Sequence, residues 1–464
     1  MDGRRSRSSR RLATILGAAA GTACAVALAA ITDTGTAQQP AASPGPWIEA
    51  THLPPLLTAA GEPVELRYDA FCFVDDGVDV DTPCDVQTSV YARRGAAGRF
   101  EELAVREALG SSEGRFVAAV PPSLAGSPSG FSYFAVLRDR RTGATTTLPA
   151  GGAAAPQRSR PLGRAVEISL EPHRFGDLRR ASARVVEAPW GAGPGAVGLE
   201  HGRSLPPTGG SSFDVASDGT VHVLDEANRR VLRWAPGASS PDQLTVAVNG
   251  TIADLAVGHD GTMYVLETTA ELGEAPTLRA FEARGRPIGA SRLAERASQL
   301  RLAPHGDAEV LQEPSGQWMS AYEQGRPTGR ERQLASGRSG RAVGGGRELV
   351  VLRKDDEIRV ALVGDGVSQE WRVTSPSPIA EVQLAEALGR NVLLVVRAYS
   401  DTQDEFRVLV LGARGVVESF SVASADWAET APLSRFRLRG SVLYQLGSTP
   451  RGLFVDRFDL DEVR

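Results

Sequence analysis

The chain has 464 residues, 42% hydrophobic and 23% charged, with 50 Gly, 29 Pro and a formal net charge of −5. That length holds two or three domains with their own cores, and the Gly and Pro content suits a turn-rich β protein. The net acidity falls after residue 37, and phosphate contacts need a basic face, so the charge argues against a nucleic-acid partner.

The chain opens with MDGRRSRSSRR. LATILGAAAGTACAVALAAI (12–31) follows without a charge, and TDTGTAQQPAASPGP is small and polar. A basic region, an apolar run and small residues at a cleavage site make an export signal. The apolar run is also long enough to stay in a bilayer as an anchor. Residues 1–37 are therefore read as a signal peptide or signal anchor, and 38–46 as a linker. The expected location is extracellular, secreted or anchored through residues 12–31, with the basic flank inside. Lys354 is the only lysine, a bias typical of a GC-rich, actinobacterial-type genome.

Residues 47–150 are read as a β-sandwich domain. VELRYDAFCF, VQTSVYARR, FEELAVREA, RFVAAVP and FSYFAVLRD alternate or run apolar over strand lengths, with Gly, Pro and Ser clusters between them. Such spacing fits a small immunoglobulin- or fibronectin-like sandwich. Cys72 and Cys84 are the only cysteines beyond the signal, and in an exported protein such a pair is most simply a disulfide. The acids Asp75, Asp76, Asp79, Asp81 and Asp85 surround it. Their oxygens suit calcium, although the spacing is not that of an EF-hand, and a solvated hairpin tip is the alternative.

After a linker at 151–165, residues 166–464 are read as a β-propeller domain. An apolar run, a DGT turn and a second apolar run occur in SSFDVASDGTVHVLDEANRRVLRW (211–234) and again in IADLAVGHDGTMYVLETT (252–269). Looser copies begin near 297, 347, 380 and 434. The second strand of each copy ends at Asp225, Glu267, Gln312, Arg353, Arg397 and Gly447, at intervals of 42, 45, 41, 44 and 50. Several strands repeating at such a period predict blades that must cover one another's apolar faces, hence an all-β, six-bladed propeller. Its fourth closing strand is expected from VEISLEPHRF (166–175).

The glycine-rich PWGAGPGAVG (189–198), Asp218-Gly219, Asp225, Asn228, Arg230 and Val231 together resemble an NHL repeat. The resemblance covers about two copies and implies the propeller fold. Within it, Asp225, Asn228 and Arg230 are expected to pair inside their blade as scaffolding.

In a propeller the first strand of each blade lines the channel. Asp254, Gln299, Glu381 and Arg435 are the candidate channel ring. Either the acids bind a polar ligand or calcium, as in lactonase-like six-bladed propellers, or Arg435 neutralises them. No cofactor is expected apart from that opening for calcium. Trp318, Tyr322 and Trp427 are the candidate aromatic recognition patch. The sequence contains no HExxH, CxxC or phosphate-loop motif, and no catalytic residue is assigned. The expected function is an extracellular binding or scaffold protein with an unknown protein or small-molecule partner. A metal-assisted propeller hydrolase or lyase, and a cell-envelope sensor or assembly factor, are the alternatives.

Overall fold

A computed structural model of the chain describes residues 46–460 apart from 53, 56, 60–62, 74–84, 108–113, 163–164, 201–206, 211, 247–250, 269–274, 295, 314–315, 355–356, 365–366 and 429–434. The export segment, Cys84, Asp75, Asp76, Asp79 and Asp81 lie outside the described residues. Asp85 is within them and pairs with Arg140 at 3.2 Å. Cys72 is disulfide-bonded. Among the described residues no helix is long and apolar enough to cross a membrane.

The described chain is nearly all β. The first part forms two sheets. One orders Trp47–His52, Val64–Phe73, Arg115–Val120 and Val105–Glu107. The other orders Leu57–Ala59, Gln157–Leu162, Phe131–Asp139, Val86–Arg94 and Glu101–Leu103. Alternation along the strands sends Leu66 and Tyr68 from one sheet, and Val90, Tyr133 and Leu137 from the other, into one shared apolar core. Gln157–Leu162 lies within the stretch read as linker. Gln157–Ser159 pair antiparallel with Phe131–Tyr133, because a strand edge there accepts another partner.

Six further sheets follow one another along the chain, here numbered I to VI. Sheet I contains Ser212–Val215, Val221–Asp225, Arg230–Trp234 and Asp242–Thr245. Sheet II contains Thr251–Val257, Met263–Thr268, Thr277–Phe281 and Pro287–Arg292, and sheet III Arg296–Leu302, Ala308–Glu313, Trp318–Glu323 and Arg326–Pro327. Sheet IV contains Arg341–Val343, Arg347–Lys354, Glu357–Gly364 and Val367–Thr374; sheet V contains Ile379–Leu388, Asn391–Tyr399, Asp404–Gly412 and Gly415–Ala423. Sheet VI contains Phe436–Arg439, Val442–Thr449 and Gly452–Asp459. Within each sheet consecutive strands pair antiparallel, as in a β-propeller. The first strand of sheet I lies beside that of sheet II on one side and that of sheet VI on the other. All six positions from the repeat reading fall within the last three residues of a second strand.

The strand expected to complete the last sheet is a different one. Val166–Ser169 pairs parallel with Val367–Thr374 of sheet IV. Ala183–Pro189 pairs antiparallel with Gly452–Asp459 and completes sheet VI. The contact there is close: a Cβ on Gly452 would meet the Ala188 carbonyl oxygen at 2.1 Å. Glycine alone lets those two backbones approach so closely.

The first hairpins of sheets I and II turn alike. The Thr220 amide donates to Asp218 Oδ1 at 2.9 Å, and the Thr262 amide to Asp260 Oδ1 at 2.9 Å. Gly219 and Gly261 follow at φ of 86° and 81°, a region glycine enters without steric cost. Those amide bonds hold both carboxyls below their usual range.

Apolar cores lie between neighbouring sheets. Buried clusters join I with II, II with III, IV with V, V with VI, and VI with I. Among the described residues no such cluster joins III with IV. One polar contact between them is a hydrogen bond from the Ala342 amide of sheet IV to the buried Glu309 of sheet III, at 3.4 Å, beside the Arg338 guanidinium.

His52 gives the first core a pH dependence. It is buried, stacked on Tyr68 at 4.3 Å, with Nδ1 2.6 Å from the Arg67 carbonyl and Nε2 2.8 Å from the Tyr133 hydroxyl. A carbonyl only accepts, so Nδ1 carries the proton and Nε2 accepts from Tyr133. Burial pushes the imidazole down from 6.5 to about 4, against the raising effect of the Arg67 carbonyl. The unfolded chain then binds the extra proton between those two values, so stability rises with pH across that window and is complete above it. Acidification from pH 7 to 4 is expected to cost roughly 3 kcal/mol at this site. An unfolding titration of the parent and His52→Gln checks this, because the variant should show a flatter profile between pH 4 and 6.5. Parallel profiles would rule the His52 contribution out.

Candidate functional site

The first strands of the six sheets bring charged side chains together where they meet. Residues two apart share a face of a strand, so the inward set runs Ser212 and Asp214, Asp254, Gln299 and Arg301, Arg341, and Arg435, Arg437 and Arg439. Asp254 is fully buried at its centre. Its Oδ1 accepts from Ser212 Oγ at 2.8 Å, the Leu255 amide at 2.9 Å and the Arg437 guanidinium at 2.9 Å. Its Oδ2 accepts from the Leu300 amide at 2.9 Å and Arg301 at 3.1 Å. Asp214 repeats the pattern, accepting from the Val215 and Val257 amides, each at 2.8 Å, and from Arg439 at 2.5 Å. These two carboxylates therefore pin sheets I, II, III and VI together.

This arrangement corrects two readings. Arg435 does not neutralise Asp254, because Arg437 and Arg301 do. Arg435 sits over the Phe406 ring and donates to the Ser424 carbonyl at 2.9 Å, with Asp426 at 4.0 Å. Burial holds its guanidinium below the usual value. Nor does Asp254 fit a cation. Its oxygens already accept five hydrogen bonds, two from guanidiniums whose charge repels a metal ion. Among the described residues no group of three or more His, Cys, Asp and Glu is placed to hold a metal.

Gln299 and Glu381 belong to a different feature. They line a cavity of about 380 Å³ at the contact of sheets III, IV and V. Glu386, next to this wall in the chain, pairs with Arg301 at 3.9 Å and with Arg341 at 2.5 Å. Arg301 is held down to about 10, chiefly by burial and then by the neighbouring Arg437, while Asp254 and Glu386 act to raise it. Glu381 lies within electrostatic reach of Arg397 and Arg435. Gln383, Trp318 and Leu349 complete the wall, and Pro54 of the first part reaches its edge. The first part is also tied there by a 2.6 Å bond from Ser339 Oγ to the Arg158 carbonyl. Asp214, Arg301, Arg341, Glu386, Arg437 and Arg439 are the residues sequence reading missed.

The aromatic patch does not form as expected. Trp318 and Tyr322 are buried in sheet III, where Tyr322 meets Tyr264 edge-on at 5.3 Å. Tyr322 thus serves packing, while the buried Trp318 forms part of the cavity wall. Trp427 is 39% exposed and lies 6.1 Å from Trp190.

Asp225, Asn228 and Arg230 lie together. Asp225 Oδ2 accepts from Asn228 Nδ2 at 2.9 Å and Arg230 Nε at 2.6 Å, and Oδ1 accepts the Gly198 amide at 2.9 Å. Arg230 also donates to the carbonyls of Ala196 at 2.7 Å and Gly193 at 3.2 Å, and to Gln243 at 2.8 Å. The glycine-rich lead-in is thus wrapped around this pair. A Cβ at Gly198 would come within 2.8 Å of Asp225 Oδ1.

No protein-family model and no curated protein matches the sequence. Solved structures similar to the chain include virginiamycin B lyase from Staphylococcus aureus, at 10% identity and a TM-score of 0.33 over 54% of this chain and 95% of the other. A protein of unknown function from Bacteroides thetaiotaomicron is 10% identical with a TM-score of 0.34, over 90% and 98% of the two chains. YCF48 bound to a D1 peptide is 12% identical with a TM-score of 0.31, over 55% and 79%.

Proposed function

We propose that this is an exported binding protein, secreted or held at the membrane by residues 12–31, whose ligand enters the cavity at sheets III to V. In this reading each sheet from I to VI is one blade of a six-bladed propeller. The two sheets before it are an immunoglobulin-like sandwich closed by a Cys72–Cys84 disulfide. The observation that supports the reading is the contact between sheets III and IV. Among the described residues every other neighbouring pair is joined by a buried apolar cluster, and this one borders a cavity whose wall mixes the charged and amide groups of Arg301, Arg341, Glu381, Gln299 and Gln383 with Leu311, Trp318, Leu349 and Val382. A ring needs apolar contacts to hold itself closed, so an open cavity with charged groups on its wall at one contact is better explained by a ligand than by stability. Its volume is in the range of small-molecule sites. The strand order of the first two sheets supports the sandwich, because sheets of that order share one core in immunoglobulin-type domains.

The test is thermal unfolding of the purified protein with small anionic, neutral and cationic compounds, alongside a cavity-filling Leu352→Trp variant. A binder at about 100 times its Kd should raise the melting temperature by roughly 2–5 °C, and the variant should lose that shift. If no compound of any charge class separates parent from variant, the binding reading fails.

A further inference from the structure

We infer that the cavity takes a small neutral molecule carrying several hydroxyl groups, sugar-like in its chemistry, rather than an ion. The inference rests on the binding reading above and names the ligand class for the same cavity.

The charges on the wall support it first. Arg301 and Arg341 line the cavity from the first strands of sheets III and IV, and Glu381 from that of sheet V. Both signs are therefore present on one lining, and each group already has opposite charge near it. The two guanidiniums pair with Glu386, and Arg301 also with Asp254. Glu381 lies within electrostatic reach of Arg397 and Arg435. A cation in the cavity is repelled by the guanidiniums and an anion by Glu381, and partial burial magnifies either penalty. A molecule without net charge meets neither.

Hydrogen bonding supports it second. The guanidiniums only donate, the Glu381 carboxylate only accepts, and the side-chain amides of Gln299 and Gln383 do both. Gln383 is 8% exposed, and its Oε1 has no hydrogen-bond partner among the described residues. A buried amide oxygen without a donor is uncommon and marks a place where a donor is accommodated. The two ends of the amide can interchange, so either can be turned to a ligand. A hydroxyl donates and accepts at once, which suits a lining of mixed character whichever group it meets. Glu381 and Gln383 stand two residues apart on the strand Ile379–Leu388. Each ends in a plane with two polar atoms, a form that spans neighbouring hydroxyls.

The apolar part of the wall supports it third. Leu311, Trp318, Leu349 and Val382 line the same space. A sugar ring has C–H faces inside its hydroxyl rim, and an indole and aliphatic chains cover such a face without asking it for hydrogen bonds. An inorganic ion has nothing to lay against these groups.

The test is calorimetric titration of the full chain with glucose, mannose and galactose, and with benzoate, benzylamine and glycine as anionic, cationic and zwitterionic probes. Concentrated sugar stabilises proteins by exclusion from their surface, so the readout is saturable heat that the variants lose. At least one hexose should bind saturably and more tightly than the three charged probes. Gln383→Leu should weaken it about fivefold or more. Should that variant fail to fold, Glu381→Gln remains, with an expected loss of about the same size. A charged or zwitterionic probe that binds more tightly than every hexose would overturn the neutral assignment and leave the cavity a binding site. Hexose binding unchanged in the folded variants would overturn it too, since the sugar would then sit elsewhere. No hexose binding, with binding of other compounds in the wider screen, would overturn only this inference. Silence in both would remove the binding reading as well.

Discussion

An Asp254→Ala protein is expected to melt about 5–10 °C below the parent, a loss of roughly 3–5 kcal/mol. The aspartate accepts hydrogen bonds from Arg437 and Arg301 and from two backbone amides in a fully buried place. Its removal takes that carboxylate from the Arg437 and Arg301 guanidiniums, whose pairs to Asp214 at 3.7 Å and Glu386 at 3.9 Å are longer. The loss of opposing charge, rather than of the contacts themselves, sets the size of the effect. Asp254→Asn should therefore fall between parent and alanine, since it keeps the shape and part of the hydrogen bonding. Thermal unfolding of the three proteins decides it. A drop of under about 1 kcal/mol for alanine would mean that water reaches these groups and screens them.

Replacing Arg230 by Met should cost a similar amount, about 3–5 kcal/mol, and should also loosen residues 191–198. Arg230 is 5% exposed and Asp225 fully buried, so methionine fills the space and strands the carboxylate. The same guanidinium holds the carbonyls of Ala196 and Gly193. Losing it should free the lead-in as well as weaken sheet I. Limited proteolysis with proteinase K reads this directly: cleavage between 191 and 198 should appear in the variant and not in the parent. Equal protection in both would show that the lead-in is held by its own packing and that the pair contributes only to sheet I.

Much of the β pattern was legible because alternation with a two-residue period is local. Asp225 ends its second strand and Glu267 stands one residue from the end of its own, as the acid-terminated apolar runs predicted. The completing strand was not legible. VEISLEP and ARVVEAP alternate alike, and nothing in either says which distant edge it meets. The inward charges were half legible. Reading only the first position of each first strand gave Asp254, Gln299 and Arg435. The next position on the same face, two residues on, gives Arg301 and Arg437. Arg341 was hidden by the glycines that follow it, which broke the alignment of the fourth copy. Trp318 and Tyr322 were read as part of a recognition patch because the strand Trp318–Glu323 is buried along nearly its whole length and so shows no alternation.

Sheet VI draws its outer strand from residues 183–189 and its inner three from 436–459. The two ends of that pairing are separated in time as well as in sequence. At about 5–20 residues per second of synthesis, the strand Ala183–Pro189 waits roughly 15–50 s before its partner exists. During that delay it is a bare edge, open to any neighbouring chain that can pair with it. Arg184 and Glu187 on the strand discourage such mispairing, since charged edges resist it. Arg184 meets its counter-charge, Asp456 at 2.8 Å, only when the correct partner arrives. The charge that keeps the waiting edge from other chains is thus the one that pairs across the finished sheet.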